Sequence, residues 1–120
     1  MKKVIKIANG QGFWGDSIDA PFNLVKYGKI DYLTLDYLAE VTLSIMQRQK
    51  LKNSQKGYAT DFIDLCSRIL KDIVKKKIKV ITNAGGVNPE VCREKLLDLA
   101  KSLNINIKIA IIKGDDILNG

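Results

Sequence analysis

The 120-residue chain contains no histidine at all. That absence removes Ser-His-Asp and Cys-His catalysis, His-ligated zinc and a histidine pH switch from the chemistry this chain can carry out alone. Cysteine is almost as scarce. Cys66 and Cys92 are too few and too far apart for a zinc ribbon or a CxxC redox site. Two thiols in a basic chain fit a reducing compartment, so the expected location is the cytoplasm. Long apolar runs are missing too. Met1-Lys2-Lys3 leads into Val4-Ile5-Lys6-Ile7-Ala8 and then polar glycines, so neither a signal-peptide core nor a membrane span of ~20 residues is present. With 46% apolar and 28% charged residues the composition is that of one ordinary globular domain over residues 1–120.

Acidic charge is also in deficit, by seven. The imbalance is local: residues 48–79 hold ten bases (from Arg48, Lys50, Lys52 and Lys56 to Arg68, Lys71, Lys75, Lys76, Lys77 and Lys79) against Asp61, Asp64 and Asp72. The remainder of the chain balances. Asp61 and Asp64 open a helix whose end carries Lys71 and Lys75–Lys77, an arrangement that complements the helix macrodipole. No aromatic residues interleave with these lysines as a stacking platform requires, so nucleic-acid binding through the basic 48–79 segment is the less favoured alternative to a solvated helix end.

What is present is alternation of short β-branched runs with longer amphipathic ones. Strands are expected at Lys3–Ala8, Asp31–Leu35, Ile78–Thr82 and Asn106–Ile112. Helices are expected at Ser17–Tyr27, capped by Asp16 or Ser17 and stopped by Gly28, from Asp36 to Lys52, from Ala59 to Lys76, and from Asn88-Pro89 to Leu103. Leu38, Val41, Ile45 and Met46 are expected to face inward from the second of these. The order β-α-β-α-α-β-α-β calls for a parallel α/β sheet with helical crossovers, Rossmann-like, or alternatively the opening part of a (β/α)-barrel.

In either architecture the loops after the strands share one sheet edge, and ligands bind there. Those loops gather Asn9, Gly10, Gln11, Gly12, Trp14, Gly15 and Asp16, then Asp36 and Glu40, then Asn83, Gly85, Gly86 and Asn88, then Asp115 and Asp116. The opposite edge collects Lys2, Lys3, Lys29, Lys76, Lys77 and Lys101. Gly10-Gln11-Gly12-Phe13-Trp14-Gly15 matches G-x-G-x-x-G in the required strand–helix context, and Asp36 stands where a dinucleotide fold places its ribose-binding acid. Phe13-Trp14 is bulky for a pyrophosphate, so nicotinamide and flavin rank below a phosphate- or CoA-type anion, with structural turns the competing account. Asp16, Asp36, Asp115 and Asp116 are candidate oxygen ligands for Mg²⁺, and Asp16, Asp36 and Glu40 candidate acid/base groups; each of these last three can equally serve a helix start. Cys92 in the first turn of a helix is read as a buried core thiol.

Three stretches go beyond generic α/β sequence: Ile7-Ala8-Asn9-Gly10-Gln11-Gly12-Phe13-Trp14-Gly15-Asp16-Ser17, Asp31-Tyr32-Leu33-Thr34-Leu35-Asp36-Tyr37-Leu38-Ala39-Glu40-Val41-Thr42 and Thr82-Asn83-Ala84-Gly85-Gly86-Val87-Asn88-Pro89. Together they resemble the N-terminal domain of the acyclic terpene utilisation family, AtuA. The resemblance implies a role in the catabolism of acyclic terpenoids alongside acyl-CoA enzymes. It also implies that the chain is an N-terminal piece of a longer domain, whose remainder, or a second subunit, is the expected partner. The chemistry expected on that basis is of lyase, hydratase or isomerase type on a small organic acid or its CoA thioester, with Mg²⁺ as a candidate cofactor. A non-catalytic ligand-binding or assembly domain is the alternative.

Overall fold

A computed structural model describes residues 4–12, 17–38 and 40–112, with the backbone alone for Glu40 and Val41. The chain runs β1 (Ile7–Gln11), α1 (Asp19–Tyr27), β2 (Tyr32–Leu35), α2 (Glu40–Lys52), α3 (Thr60–Lys76), β3 (Lys79–Thr82) and α4 (Pro89–Ser102). The three strands are parallel and lie in chain order, β1-β2-β3. The protein is thus α/β, and among the described residues its three-stranded parallel sheet with helical crossovers is consistent with a Rossmann-like fold.

Alternation along each strand divides the sheet into two unlike faces. Ala8, Leu33 and Val80 stand side by side, Leu33 fully buried, and face the helices. α1 packs on β1 and on α3, and α3 packs on α4. The core between them contains Val25, Leu33, Leu35, Met46, Phe62, Leu65, Ile69, Val91 and Leu96. The other face carries the rows Ile7–Tyr32–Lys79 and Asn9–Thr34–Ile81. Ile7 is 67% exposed and Ile81 59%, so no described residue covers this face.

α3 follows its sequence pattern closely. Phe62, Leu65, Cys66, Ile69 and Leu70 are buried at helical spacing, with Ile73 partly so. Its end is a Schellman-type closure: Ile78 N–H donates to the Ile73 carbonyl (2.9 Å) and Lys77 N–H to that of Val74 (3.3 Å). The residue in the left-handed position is Lys77, at φ 57° and ψ 40°. A lysine there costs about 1 kcal/mol relative to glycine.

Several boundaries move. β1 begins at Ile7 and runs through Gln11 rather than ending at Ala8, so Asn9, Gly10 and Gln11 are strand residues. The physical reason is packing: a Cβ on Gly10 would lie 2.8 Å from Pro21 Cβ, so glycine lets α1 settle directly on β1. A bulge between Asn9 and Gln11 accommodates it. α1 begins at Asp19, with Ile18 at the cap position and Ser17 Oγ accepting the Asp19 N–H (3.2 Å). α2 begins at Glu40, not Asp36, because the Asp36 carboxylate accepts the Leu38 N–H (3.1 Å) and holds a turn there instead. Ile45 is 39% exposed rather than inward, and Met46 alone is fully buried among the described side chains of α2.

The fourth strand expected over Asn106–Ile112 is not in the sheet. Residues 104–112 do alternate in exposure, and Ile109 packs against the core. Arg93 Nε of α4, however, donates to the Ile109 carbonyl (3.2 Å), and no ladder to β3 forms. A period of two marks a face-sorted extended chain, and it does not by itself supply a hydrogen-bonding partner.

Candidate functional site

The ends of β2 and β3 are tied by one side-chain amide. Asn83, just past β3, donates from Nδ2 to Asp36 Oδ1 (2.8 Å) and accepts the Tyr37 N–H at Oδ1 (2.8 Å). Thr82 adds a second tie, its hydroxyl donating to the Leu35 carbonyl (2.9 Å) while its oxygen accepts the Ala84 N–H (3.1 Å). Asp36 N–H donates in turn to the Gln11 carbonyl at the end of β1 (3.0 Å). Three strand ends are thereby fixed side by side, with the exposed Asp36 carboxylate among them. The Asn83 amide, and then the Leu38 N–H, hold that carboxyl below the usual carboxylate range.

The loop after β3 is docked as firmly against the α2–α3 connection. Asn88 is buried and donates from Nδ2 to the Ser54 and Lys56 carbonyls (2.8 Å each). It makes no side-chain cap to α4, so the expected asparagine cap is replaced by this longer-range clasp. Val87 N–H donates to the Gly57 carbonyl (3.0 Å), Ala59 N–H to that of Ala84 (2.8 Å), and Lys50 Nζ to that of Val87 (3.1 Å). Gly86 has φ 57°, and a Cβ there would overlap Met46 Sδ and lie 2.7 Å from the Gly57 carbonyl oxygen. A Cβ on Gly85 would lie 2.9 Å from Pro89. Each of Asn83, Gly85, Gly86 and Asn88 therefore has a task inside the fold. The N–H groups of Ala84, Gly86, Val87 and Asn88 are all engaged intramolecularly, Gly86 with the Asn83 carbonyl and Asn88 with that of Gly85.

Of the first-loop residues, Gly10 and Gln11 are buried in β1, Asn9 lies on the open sheet face with its Oδ1 accepting from the Thr34 hydroxyl (3.3 Å), and Gly12 is exposed just beyond the strand. Asp36, Asn83 and the end of β1 come together; Asn9 points away onto the sheet face. Trp14, Gly15, Asp16, Asp115 and Asp116 lie outside the described residues, as does the side chain of Glu40. Among the described residues no group of three or more Asp, Glu, Cys or His is placed to hold a metal ion.

Beneath this edge is a feature that spacing did not reveal. Tyr37 is fully buried, its ring edge-on to Phe62 (centroids 5.9 Å apart), and its hydroxyl has no hydrogen-bond partner. Both carboxylate oxygens of Asp61, in the first turn of α3, are likewise buried and without a partner. Burial, and then the Asp61 charge, push the Tyr37 phenol far above its ordinary value. An acid at a helix start is ordinarily solvated, so the sequence carried no signal for it. Cys92 is buried as expected, and desolvation outweighs the helix dipole, pushing its thiol up to about 11. Burial raises Cys66 further still.

A family model, that of the acyclic terpene utilisation family protein AtuA, matches residues 5–120. No curated protein and no solved structure matches the chain. Among the described residues no helix is long and apolar enough to cross a membrane.

Proposed function

The chain belongs to the acyclic terpene utilisation family AtuA, and from that premise we propose that its C-terminal sheet edge binds an acyl-CoA thioester or a small organic acid. The observation that carries this reading is the exposed Asp36 carboxylate, fixed by Asn83 where three strands end. A carboxyl held below its usual range is ionised at neutral pH. It is thus better matched to orienting a cation or a hydrogen-bond donor than to general-base work, which favours a pKa near the operating pH. An ionised Asp36 repels a bare carboxylate. The preferred ligand is accordingly a thioester, whose acyl end is neutral, or an acid bridged to Asp36 by Mg²⁺. Asp16 and Glu40 would complete the polar cleft, and proton chemistry of the lyase, hydratase or isomerase type is the reaction class that needs no nucleophile.

The test is a thermal-shift series with CoA thioesters, small organic acids and Mg²⁺ on the wild type and on Asp36→Ala. A ligand at ~100 times its Kd stabilises by ~2.7 kcal/mol, a plain shift in Tm. A thioester shift lost in Asp36→Ala supports the reading, and an undiminished shift in that variant removes it.

The uncovered sheet face supports a second reading, a non-catalytic assembly domain. Parallel sheets are normally covered on both faces, and the exposed Ile7 and Ile81 leave apolar surface on this one that suits the remainder of a larger domain or a second subunit. Light scattering after size exclusion tests the second-subunit form; a monomer at high concentration counts against it.

A further inference from the structure

An open cleft of about 720 Å³ lies at the sheet edge opposite Asp36, where the strands begin. Lys6, Lys29, Lys76, Tyr27 and the carboxylate-bearing Asp31 line it. A second cleft of about 220 Å³ shares Asp31 and adds Tyr32, Lys77 and Lys79. The two clefts bring together five lysines and one carboxylate, a net charge of four.

Helix termini account for part of that charge. α1 and α3 both end here, and each C-terminus carries about half a negative charge. Lys76 answers α1 directly, its Nζ donating to the Val25 and Lys26 carbonyls (2.7 Å each). With both helix ends neutralised, about three positive charges remain. The dipole explanation falls short by that margin.

Lys77 points the same way by a different route. It occupies a left-handed position that glycine would fill with less strain, and yet it places a lysine in the second cleft.

The aromatic residues missing between Arg68 and Lys79 are delivered by the fold. Tyr27, at the end of α1, is 73% exposed, and Tyr32 lies on the open sheet face beside Lys79. Each ring has an ammonium close by, Lys26 Nζ at 5.6 Å from the Tyr27 centroid and Lys79 Nζ at 5.9 Å from that of Tyr32. Stacking surface and ammonium groups thus meet along the strip formed by the two clefts, which adjoin at Asp31, and that combination suits a single strand of nucleic acid. Chain distance hid it, because the tyrosines and the lysines of residues 75–79 belong to different segments.

We propose that this strip, at the edge where the strands begin, binds a short stretch of single-stranded nucleic acid, with Tyr27 and Tyr32 stacking on bases and Lys6, Lys29, Lys77 and Lys79 meeting phosphates. The site is independent of the one built around Asp36, so either can fail without the other.

The experiment is fluorescence anisotropy of a labelled dT10 oligonucleotide with the full chain, from 25 to ~300 mM KCl. Binding should weaken with a log–log salt slope of about −2 to −3, the value for three or four phosphate contacts on a single strand. Tyr27→Leu should weaken binding about tenfold with the slope unchanged, because stacking is lost and charge is not. Lys77→Gly should reduce the slope by about 0.7 while raising Tm by about 2–5 °C through relief of backbone strain. Those opposite signs separate a binding effect from a folding one. The proposal is overturned by absence of binding at 25 mM KCl, by equal affinity for a duplex of the same length, by full displacement with millimolar inorganic phosphate, or by wild-type affinity in both variants.

Discussion

The two edges of the sheet have solved opposite problems. Where the strands end, the polar groups of the loop after β3 are turned inward: Asn83 and Thr82 tie β2 to β3, Asn88 ties the loop to residues 54–56, and four of the five N–H groups from Ala84 to Asn88 are engaged. Where the strands begin, lysines stand around open clefts with a single carboxylate between them. The first edge is a frame braced by side-chain amides around one ionised group; the second has its own ties, Lys76 on the α1 carbonyls and Asp31 on the Lys6 N–H, but carries an excess of like charge. Residue type alone does not separate these roles. A glycine-rich, amide-rich loop reads as a ligand cradle in sequence, and here much of it is joinery.

The sharpest way to break this contrast is at Gly86. Gly86→Ala should lower stability by about 3 kcal/mol or more, since φ 57° and the overlap with Met46 Sδ act together. A loss under about 1 kcal/mol by urea unfolding would show the loop to be loosely docked.

Alkaline pH probes the core behind the same edge. Burial raises the Cys92 thiol from 9.0 to about 11. Its contribution is complete below pH 9.0 and is lost as pH rises through about 11, because the unfolded thiol ionises first. Cys92 should contribute about 2–3 kcal/mol to the fall in stability across that window, and Cys66 and Tyr37, whose pKa values burial also raises, add to it. Cys92→Ala should make that limb of the profile shallower, the remaining slope belonging to Cys66 and Tyr37, at the expense of a small cavity.

Asn83→Ala should remove about 1–2 kcal/mol by leaving the Tyr37 N–H without its acceptor. It should also return the Asp36 carboxyl towards its ordinary value, followed by NMR titration. The sign is that of a depressed carboxyl: the stabilisation is present above the unfolded value of 3.8 and disappears as pH falls through the folded one. An unmoved Asp36 titration would mean that the Leu38 N–H alone sets it.

At the opposite edge Lys76→Ala should have the smallest effect, about 0.5–1 kcal/mol, through loss of the cap on the α1 carbonyls. Thermal unfolding checks it, and a larger loss would make this edge as firmly braced as the other.

Much of the architecture was written in periodicity. α3 and α4 follow from the spacing of Phe62, Leu65, Cys66 and Ile69, and of Val91, Cys92, Leu96 and Ala100. The strand–helix alternation sufficed for the α/β class and for the edge at which Asp36 and Asn83 meet. Asn9-Gly10-Gln11 was illegible as strand because its low propensity is overridden by the seat that Gly10 makes for Pro21. The clasp made by Asn88 was illegible because its partners lie 32 and 34 residues away. Alternation in residues 106–112 was legible and insufficient, since a strand also needs a neighbour with free acceptors and donors.

The strand order has a consequence for how the molecule is made. Each crossover returns the chain to the flank of the strand laid down immediately before it, and α3 finds α1 already in place when it arrives. No described strand waits for a partner that is synthesised after an intervening one. A nascent chain can add its β–α units in the order in which they leave the ribosome, each new layer seated on a finished neighbour.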